Sequence, residues 1–115
     1  MGRLTTHVLD TAHGCPGAGI GVSLYTDGTA APLVTARTNS DGRIDTPLLE
    51  GDALKVGRYR LVFETAAYFL GKGVVLADPP FLDRIEIAFG VVDAGAHYHV
   101  PLLVSPFSYS TYRGS

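Results

Sequence analysis

Four side chains in this sequence are suited to acid–base chemistry or to holding a polarised substrate. They are His7 near the N-terminus, Arg43 directly after Asp41-Gly42, and the closely spaced pair His97 and His99. A neutral imidazole takes or gives a proton near physiological pH, which makes histidine the usual general acid–base residue. A neighbouring guanidinium can hold a carbonyl or an anion with paired donors. Each of these residues taken alone is also typical of an ordinary surface or core position.

Metal binding and cysteine chemistry are weaker interpretations of the same stretch of sequence. His97 and His99 could ligate a metal with His7 as a third ligand, but zinc needs three or four ligands and no cysteine is suitably placed. Cys15 stands alone beside Pro16 with no sign of activation. The common nucleophile-elbow, phosphate-loop and dinucleotide motifs are absent. We therefore predict neither a metal nor a cofactor.

Short alternating segments must position these groups. Residues Arg3 to Leu9 form the first predicted strand, with His7 and Leu9 on one face and Val8 on the other. The helix predicted over Ala66 to Leu70 is followed by Gly71. Further strands are predicted over Ile20–Tyr25, Leu33–Thr38, Gly57–Thr65 and Asp83–Val92. Seven to eight strands with one short helix predict an all-β fold, an antiparallel β-sandwich.

The last stretch of the chain predicts a terminal β-hairpin that turns at Ser105–Ser108. Since a strand has a period of two, His97 and His99 leave it on the same face. Pro101 cannot donate to a strand ladder, so its nitrogen must point away from a partner strand or lie at a bulge. Arg43 is positioned by the tight turn that precedes it.

The length and composition of the chain limit the classes of protein to which it can belong. A chain of 115 residues with 46% hydrophobic and 17% charged residues predicts one folded domain, spanning residues 1–115. A net charge of −2 without a basic cluster argues against nucleic acid and anionic membranes as partners, and no apolar run is long enough to span a membrane. We expect no secretory signal, and the lone Cys15 favours a reducing compartment, hence a cytoplasmic location.

Three stretches resemble the motifs of the transthyretin-like family, on its enzyme branch. Leu4–Asp10 is similar to the N-terminal motif of the family and Thr38–Arg43 to its middle motif. Tyr98–Leu103 and Ser105–Ser115 are similar to its C-terminal signature, of which the closing Tyr-Arg-Gly-Ser is the most specific piece. The hormone carriers of the same fold lack this ending and lack the histidine and arginine at these positions. The resemblance covers nearly the whole chain.

The resemblance implies a transthyretin-like sandwich that assembles as a homotetramer, with the site in a channel at the interface between two dimers. It also implies the cofactor-independent hydrolysis of 5-hydroxyisourate, a small molecule of urate degradation. Carried over by motif, the catalytic residues are His7, Arg43 and His99. The substrate-binding candidates are the closing residues and the neighbour of His99, namely Tyr112, Arg113, Ser115 and His97.

Two other functions stay open at this point. A transthyretin-like carrier would hold a small aromatic ligand without turnover, and it predicts an apolar or lysine-lined channel. A structural β-sandwich, such as an adhesion domain, predicts export and gives no reason for the closing Tyr-Arg-Gly-Ser. The sequence also leaves open whether His7 or His99 is the general base.

Overall fold

Two β-sheets form a sandwich in the computed structural model of this chain, which describes residues 1–114. The strands are β1 Arg3–Asp10, β2 Cys15–Pro16, β3 Gly21–Thr26, β4 Val34–Arg37, β5 Leu49–Glu50, β6 Gly57–Phe63, β7 Ile85–Val91, β8 His97–Val104 and β9 Tyr109–Thr111. One α-helix, α1 Thr65–Gly71, and a 3₁₀ turn over Gly51–Ala53 complete the described elements. The predicted β-sandwich with one short helix is confirmed. The described strands number nine because β2 and β5 are two-residue pairings, too short to show alternation.

The first sheet has the order β2-β1-β8-β9, with β5 also paired to β1, and the second has the order β4-β3-β6-β7. Strand direction needs one correction. β1 and β8 run parallel, from Arg3 opposite His97 to Asp10 opposite Val104, so the sandwich is not antiparallel throughout. Parallel strands need a long crossover connection, and the whole second sheet lies between these two strands in the chain. Alternation in the sequence contains no information about this direction.

The alternation of β1 decides which side chains enter the core. Leu4 and Val8 are fully buried between the sheets, whereas His7 and Leu9 lie half-buried on the outer face. This confirms the faces predicted for the first strand. Burying an aliphatic side chain of this kind stabilises the fold by about 1.5–3 kcal/mol. The outer face is therefore free to present polar groups.

The predicted terminal hairpin is confirmed over the described residues. Its turn is closed by the N–H of Ser105, which donates to the carbonyl of Ser108 at 2.8 Å. The carbonyl of Pro101 accepts the Thr111 hydroxyl at 2.7 Å, so this part of β8 faces the C-terminal strand. β9 ends at Thr111. The ladder stops there because Pro101 has no N–H to continue it.

The turn over residues 39–42 brings Arg43 to the first sheet. The Asn39 side-chain oxygen accepts the N–H groups of Asp41 at 2.9 Å and Arg43 at 3.1 Å. Gly42 has a φ of 79°, and a Cβ at this position would collide with the carbonyl oxygen of Val8. The N–H of Val8 in turn donates to the Gly42 carbonyl at 2.8 Å. The turn is therefore packed against β1, and it holds the backbone of Arg43 beside the first sheet.

Candidate active site

A single threonine connects the two histidines of β8. The parallel register places Thr5 of β1 opposite His99, and Thr5 Oγ1 lies 2.8 Å from His99 Nδ1 and 2.9 Å from His97 Nε2. Both imidazoles are half-buried on the outer face of the first sheet, with ring centroids 6.2 Å apart. The predicted shared face of His97 and His99 is confirmed. Sequence reasoning missed Thr5, because its role depends on the parallel register.

His7 and Arg43 lie opposite each other in an isolated antiparallel bridge. His7 Nε2 is 2.9 Å from the carbonyl oxygen of Asp41. Since a carbonyl oxygen only accepts hydrogen bonds, Nε2 carries a proton, and in the neutral ring Nδ1 has the lone pair. The docked turn thus fixes both the backbone of Arg43 and the tautomer of His7.

A surface cavity of about 460 Å³ lies beside Arg43 and the two histidines of β8, and His7 lies outside its lining. The polar side chains of its lining that matter for chemistry are Arg3, Thr5, Arg43, Asp45, His97 and His99. A depression of similar size, about 480 Å³, lies on the second sheet beside Arg58 and Arg60 and has no imidazole in its lining. The cavity on the first sheet therefore combines cationic donors with titratable nitrogens.

His99 is electrostatically distinct within this cavity. Burial lowers its pKa below the ordinary value of 6.5, and repulsion from the Arg43 guanidinium, and from His97 and His7 whenever those rings are protonated, lowers it further. At neutral pH the His99 imidazole is consequently uncharged and can accept a proton. Its Nδ1 is engaged by Thr5, while its Nε2 has no hydrogen-bond partner among residues 1–114.

Gly114 brings the C-terminal segment against His99. Its N–H donates to the His99 carbonyl at 2.7 Å, extending the pairing beyond the interruption at Pro101. A Cβ at Gly114 would lie 2.7 Å from His99 Cδ2, which is closer than real Cβ contacts allow. Glycine is therefore the residue that lets this backbone pack directly on the imidazole.

Tyr112 and Arg113 do not line the histidine cavity of their own chain. The guanidinium of the exposed Arg113 lies over the ring of the buried Tyr98, 4.1 Å from its centroid, and donates to the His97 carbonyl at 3.4 Å. Tyr112 is exposed and, with Arg113, lines a separate depression of about 220 Å³ between β7 and β9. Ser115, also predicted to bind substrate, lies outside the described residues.

Within residues 1–114, no group of three or more histidine, cysteine or acidic side chains is arranged to hold a metal ion. Over the same residues, no helix has the length and apolar character needed to cross a membrane. The chemistry available in the cavity is that of imidazole, guanidinium, carboxylate and hydroxyl groups.

The fold and the cavity together define a transthyretin-type β-sandwich whose outer sheet face presents imidazoles and a guanidinium. The chain belongs to the HIUase/Transthyretin family, whose sequence profile matches residues 4–114. The family resemblance inferred from the motifs is thereby confirmed.

Individual relatives agree with this membership. The chain is 59% identical over 117 residues to 5-hydroxyisourate hydrolase of Ralstonia nicotianae, covering 100% of both proteins. It matches the structure of 5-hydroxyisourate hydrolase of Klebsiella pneumoniae with a TM-score of 0.84 and 37% identity, again over 100% of both chains. It also matches the structure of (S)-allantoin synthase with a TM-score of 0.93 and 44% identity over 99% of this chain. This chain spans only 44% of that longer protein.

Proposed function

We infer that this chain is a 5-hydroxyisourate hydrolase. It opens the ring of 5-hydroxyisourate by hydrolysis to 2-oxo-4-hydroxy-4-carboxy-5-ureidoimidazoline, a step of urate degradation. The observation that supports this most is the cavity in which Arg43 meets His97 and His99. The substrate is a flat oxidised purine with several carbonyls and acidic N–H groups, which suits a cavity of cationic donors and imidazole acceptors. The 59% identical relative named for this activity supports the same inference.

His99 is the general base in this proposal. Its lowered pKa keeps the imidazole neutral, and its Nε2 is open to take a proton from water. Water then attacks the ring carbonyl, the carbon–nitrogen bond opens, and the same proton passes from His99 to the leaving nitrogen. A positioned acid–base group of this kind accelerates a reaction by about 10²–10⁴-fold. The step needs no cofactor.

Arg43 and His7 hold the substrate and its developing charge. The Arg43 guanidinium stabilises the negative charge that forms on the carbonyl oxygen as water attacks. His7 is fixed with its Nε2 proton on the Asp41 carbonyl, so its Nδ1 can accept an acidic N–H of the substrate. Of the two histidines that the sequence leaves open as general base, the proposal therefore takes His99.

A carrier function without turnover is not favoured. Such a carrier predicts an apolar or lysine-lined channel, whereas the cavity is lined by Arg3, Arg43 and two histidines, with no lysine. Charged donors next to a neutral, desolvated imidazole are the requirements of hydrolysis. A carrier has no use for them.

We also propose a homotetramer with its sites at the dimer–dimer interface. β9 lies at one edge of the first sheet and β7 at one edge of the second, and unpaired edges present N–H and C=O groups to a second copy. On the outer face of the first sheet, the paired and half-buried Leu9 and Leu103 extend the histidine surface as an apolar patch. A second copy covering this face would close the cavity. Tyr112, Arg113 and Ser115 are proposed to bind substrate in that assembly, together with His97.

The remaining proposals concern organisation and location. We propose that residues 1–115 form a single transthyretin-like domain, as two sheets enclosing one hydrophobic core support. The lone free Cys15 fits a reducing compartment, so we propose a cytoplasmic location. The proposed binding partner is a small-molecule substrate, 5-hydroxyisourate.

The deciding experiment follows the decay of freshly generated 5-hydroxyisourate by ultraviolet absorbance, with and without the protein. We expect the wild type to accelerate the decay and Arg43→Ala to lose about 10²–10³-fold of kcat, as for removal of one oxyanion donor. Arg58→Ala, at an exposed arginine of the second sheet, is the matched control and should retain activity. Decay at the spontaneous rate with the wild type would overturn the hydrolase and favour the carrier.

A further inference from the structure

Among the described residues, Thr5 is the only one whose side chain lies within hydrogen-bond distance of both imidazoles of β8. Its hydroxyl oxygen lies 2.9 Å from His97 Nε2 and 2.8 Å from His99 Nδ1, both within hydrogen-bond range. The hydroxyl has one proton to donate and lone pairs to accept. It can therefore donate to one ring and must accept from the other.

Because the Thr5 hydroxyl has a single proton to donate, the tautomers of the His97 and His99 rings depend on each other. A neutral imidazole has one N–H and one unprotonated nitrogen. If Thr5 donates to His99 Nδ1, the proton of His99 is on Nε2, and His97 must donate from its own Nε2. If Thr5 instead donates to His97 Nε2, His99 donates from Nδ1, and its Nε2 is the nitrogen with a free lone pair. No third arrangement satisfies both contacts with two neutral rings.

We propose that Thr5 is a positioning residue for the hydrolysis, because its hydroxyl donates to His97 Nε2 and accepts from His99 Nδ1, thereby holding His99 in the tautomer whose Nε2 is unprotonated. The choice between the two arrangements rests on the proposed function, since a general base at His99 needs its lone pair on the nitrogen that Thr5 does not occupy. His97 acts in turn on Thr5, as the acceptor that orients the hydroxyl proton.

The charges around His99 favour this neutral state. Arg43 approaches from the docked turn, His7 lies on β1, and His97 lies on the same strand, and all three lower the His99 pKa further than burial alone. Arg3 of β1 and Asp45 of the segment after the turn line the same cavity. Asp45 Oδ1 accepts the Asn39 side-chain N–H at 2.9 Å, and neither carboxylate oxygen hydrogen-bonds an imidazole within residues 1–114. When the His97 and His99 rings are both neutral, the two linked tautomer arrangements are the states to be compared.

The test compares histidine tautomers by ¹⁵N NMR of the full-length protein labelled at histidine, above the His99 pKa, with His99 resonances assigned from their loss in His99→Asn. We expect wild-type His99 to show a protonated Nδ1 and an unprotonated Nε2. Thr5→Val keeps the shape and removes the hydroxyl, so the Nδ1–H form should lose its majority. Thr5→Ser should restore it. Thr11→Val removes a hydroxyl that donates to the Val104 carbonyl at the far end of the same strand pair, and should leave the tautomer unchanged.

Steady-state kinetics give the second readout. Thr5→Val should lower kcat by about tenfold with KM within about twofold, because the loss is one of base orientation, and Thr5→Ser should recover most of it. A wild-type His99 that is protonated at Nε2 overturns the inference without any variant. So does a Thr5→Val protein with unchanged tautomer or unchanged kcat. The tautomer is measured without turnover, so the two proposals can fail separately. An inactive wild type would contradict the hydrolase function, whereas the effect of Thr5 on the His99 tautomer would still be decided by the ¹⁵N NMR spectrum.

Discussion

Tyr68 of α1 donates its phenolic O–H to Asp10 Oδ2 at the end of β1, over a distance of 2.7 Å and almost completely shielded from solvent. The Asp10 carboxylate also accepts the N–H groups of Ala12 and His13 and the His13 ring at Nδ1. Burial raises the pKa of Asp10, but these hydrogen bonds outweigh it and lower the pKa below the ordinary value. Burial and the neighbouring carboxylate raise the pKa of Tyr68. The pair therefore ties the helix to the strand that supplies Thr5 and His7.

Tyr68→Phe should lower the free energy of unfolding by about 2 kcal/mol, since a hydrogen bond to a buried charged group is removed. The measurement is urea denaturation at pH 7. Tyr25→Phe is the control, because the ring of Tyr25 packs under the Arg60 guanidinium and its hydroxyl makes no hydrogen bond within residues 1–114. An equal loss of stability in both variants would show that the Asp10 contact contributes nothing specific.

Arg43→Ala should raise the pKa of His99 towards 6.5, because a positive charge that disfavours the imidazolium is removed. The protonated form then persists to higher pH, so the acid limb of the kcat/KM profile should move to higher pH in any residual activity. The His99 ring protons, titrated by NMR, report the same shift without turnover. Arg58→Ala should leave the titration where it is, and an unchanged or lower His99 pKa in Arg43→Ala would contradict the electrostatic assignment.

Gly114→Ala should reduce kcat by about tenfold or more, comparable to partial loss of a positioned base. The added Cβ would lie 2.7 Å from His99 Cδ2, so the imidazole must shift and its 2.8 Å contact with Thr5 must lengthen. Activity and the His99 tautomer should therefore change together. Gly71→Ala adds a Cβ with no neighbour within 4 Å and should behave as the wild type. Full activity in Gly114→Ala would show that the imidazole tolerates displacement.

Leu103→Glu should dissociate the proposed tetramer into dimers, because a charge is placed in the apolar patch beside the histidines. Multi-angle light scattering after gel filtration measures the mass of the assembly, and turnover should fall with it. Val75→Glu, which introduces the same charge at a side chain that is 94% exposed, is the matched control. A tetrameric Leu103→Glu protein would place the dimer–dimer contact elsewhere.

Much of the fold could be predicted from short stretches of sequence. Alternation assigned Val8 to the core and His7 to the outer face, and Asp41-Gly42 marked the turn that presents Arg43. These features depend on neighbours in the chain, through the period of a strand and the backbone freedom of glycine. The roles of His7, Arg43 and His99 came from a family resemblance instead and remain proposals for mutagenesis.

The contacts of the Arg113 side chain could not be predicted from neighbouring residues in the sequence. The family resemblance groups it with the proposed substrate-binding residues, and within one chain its exposed guanidinium lies over the ring of Tyr98. A cationic group finds favourable contact with an aromatic face when one is within reach. Which face is within reach depends on the path of the C-terminal segment after the interruption at Pro101.

The sequence by itself determined the longer strands, the turn before Arg43 and the shared face of His97 and His99, because each depends on residues close together in the chain. Only the tertiary structure decided that β1 and β8 run parallel, and with that direction came the register that places Thr5 between two imidazoles 92 and 94 positions away. The physical reason is that strand direction and register are determined by the packing of two whole sheets around one core. No single segment of the chain contains enough information to predict them.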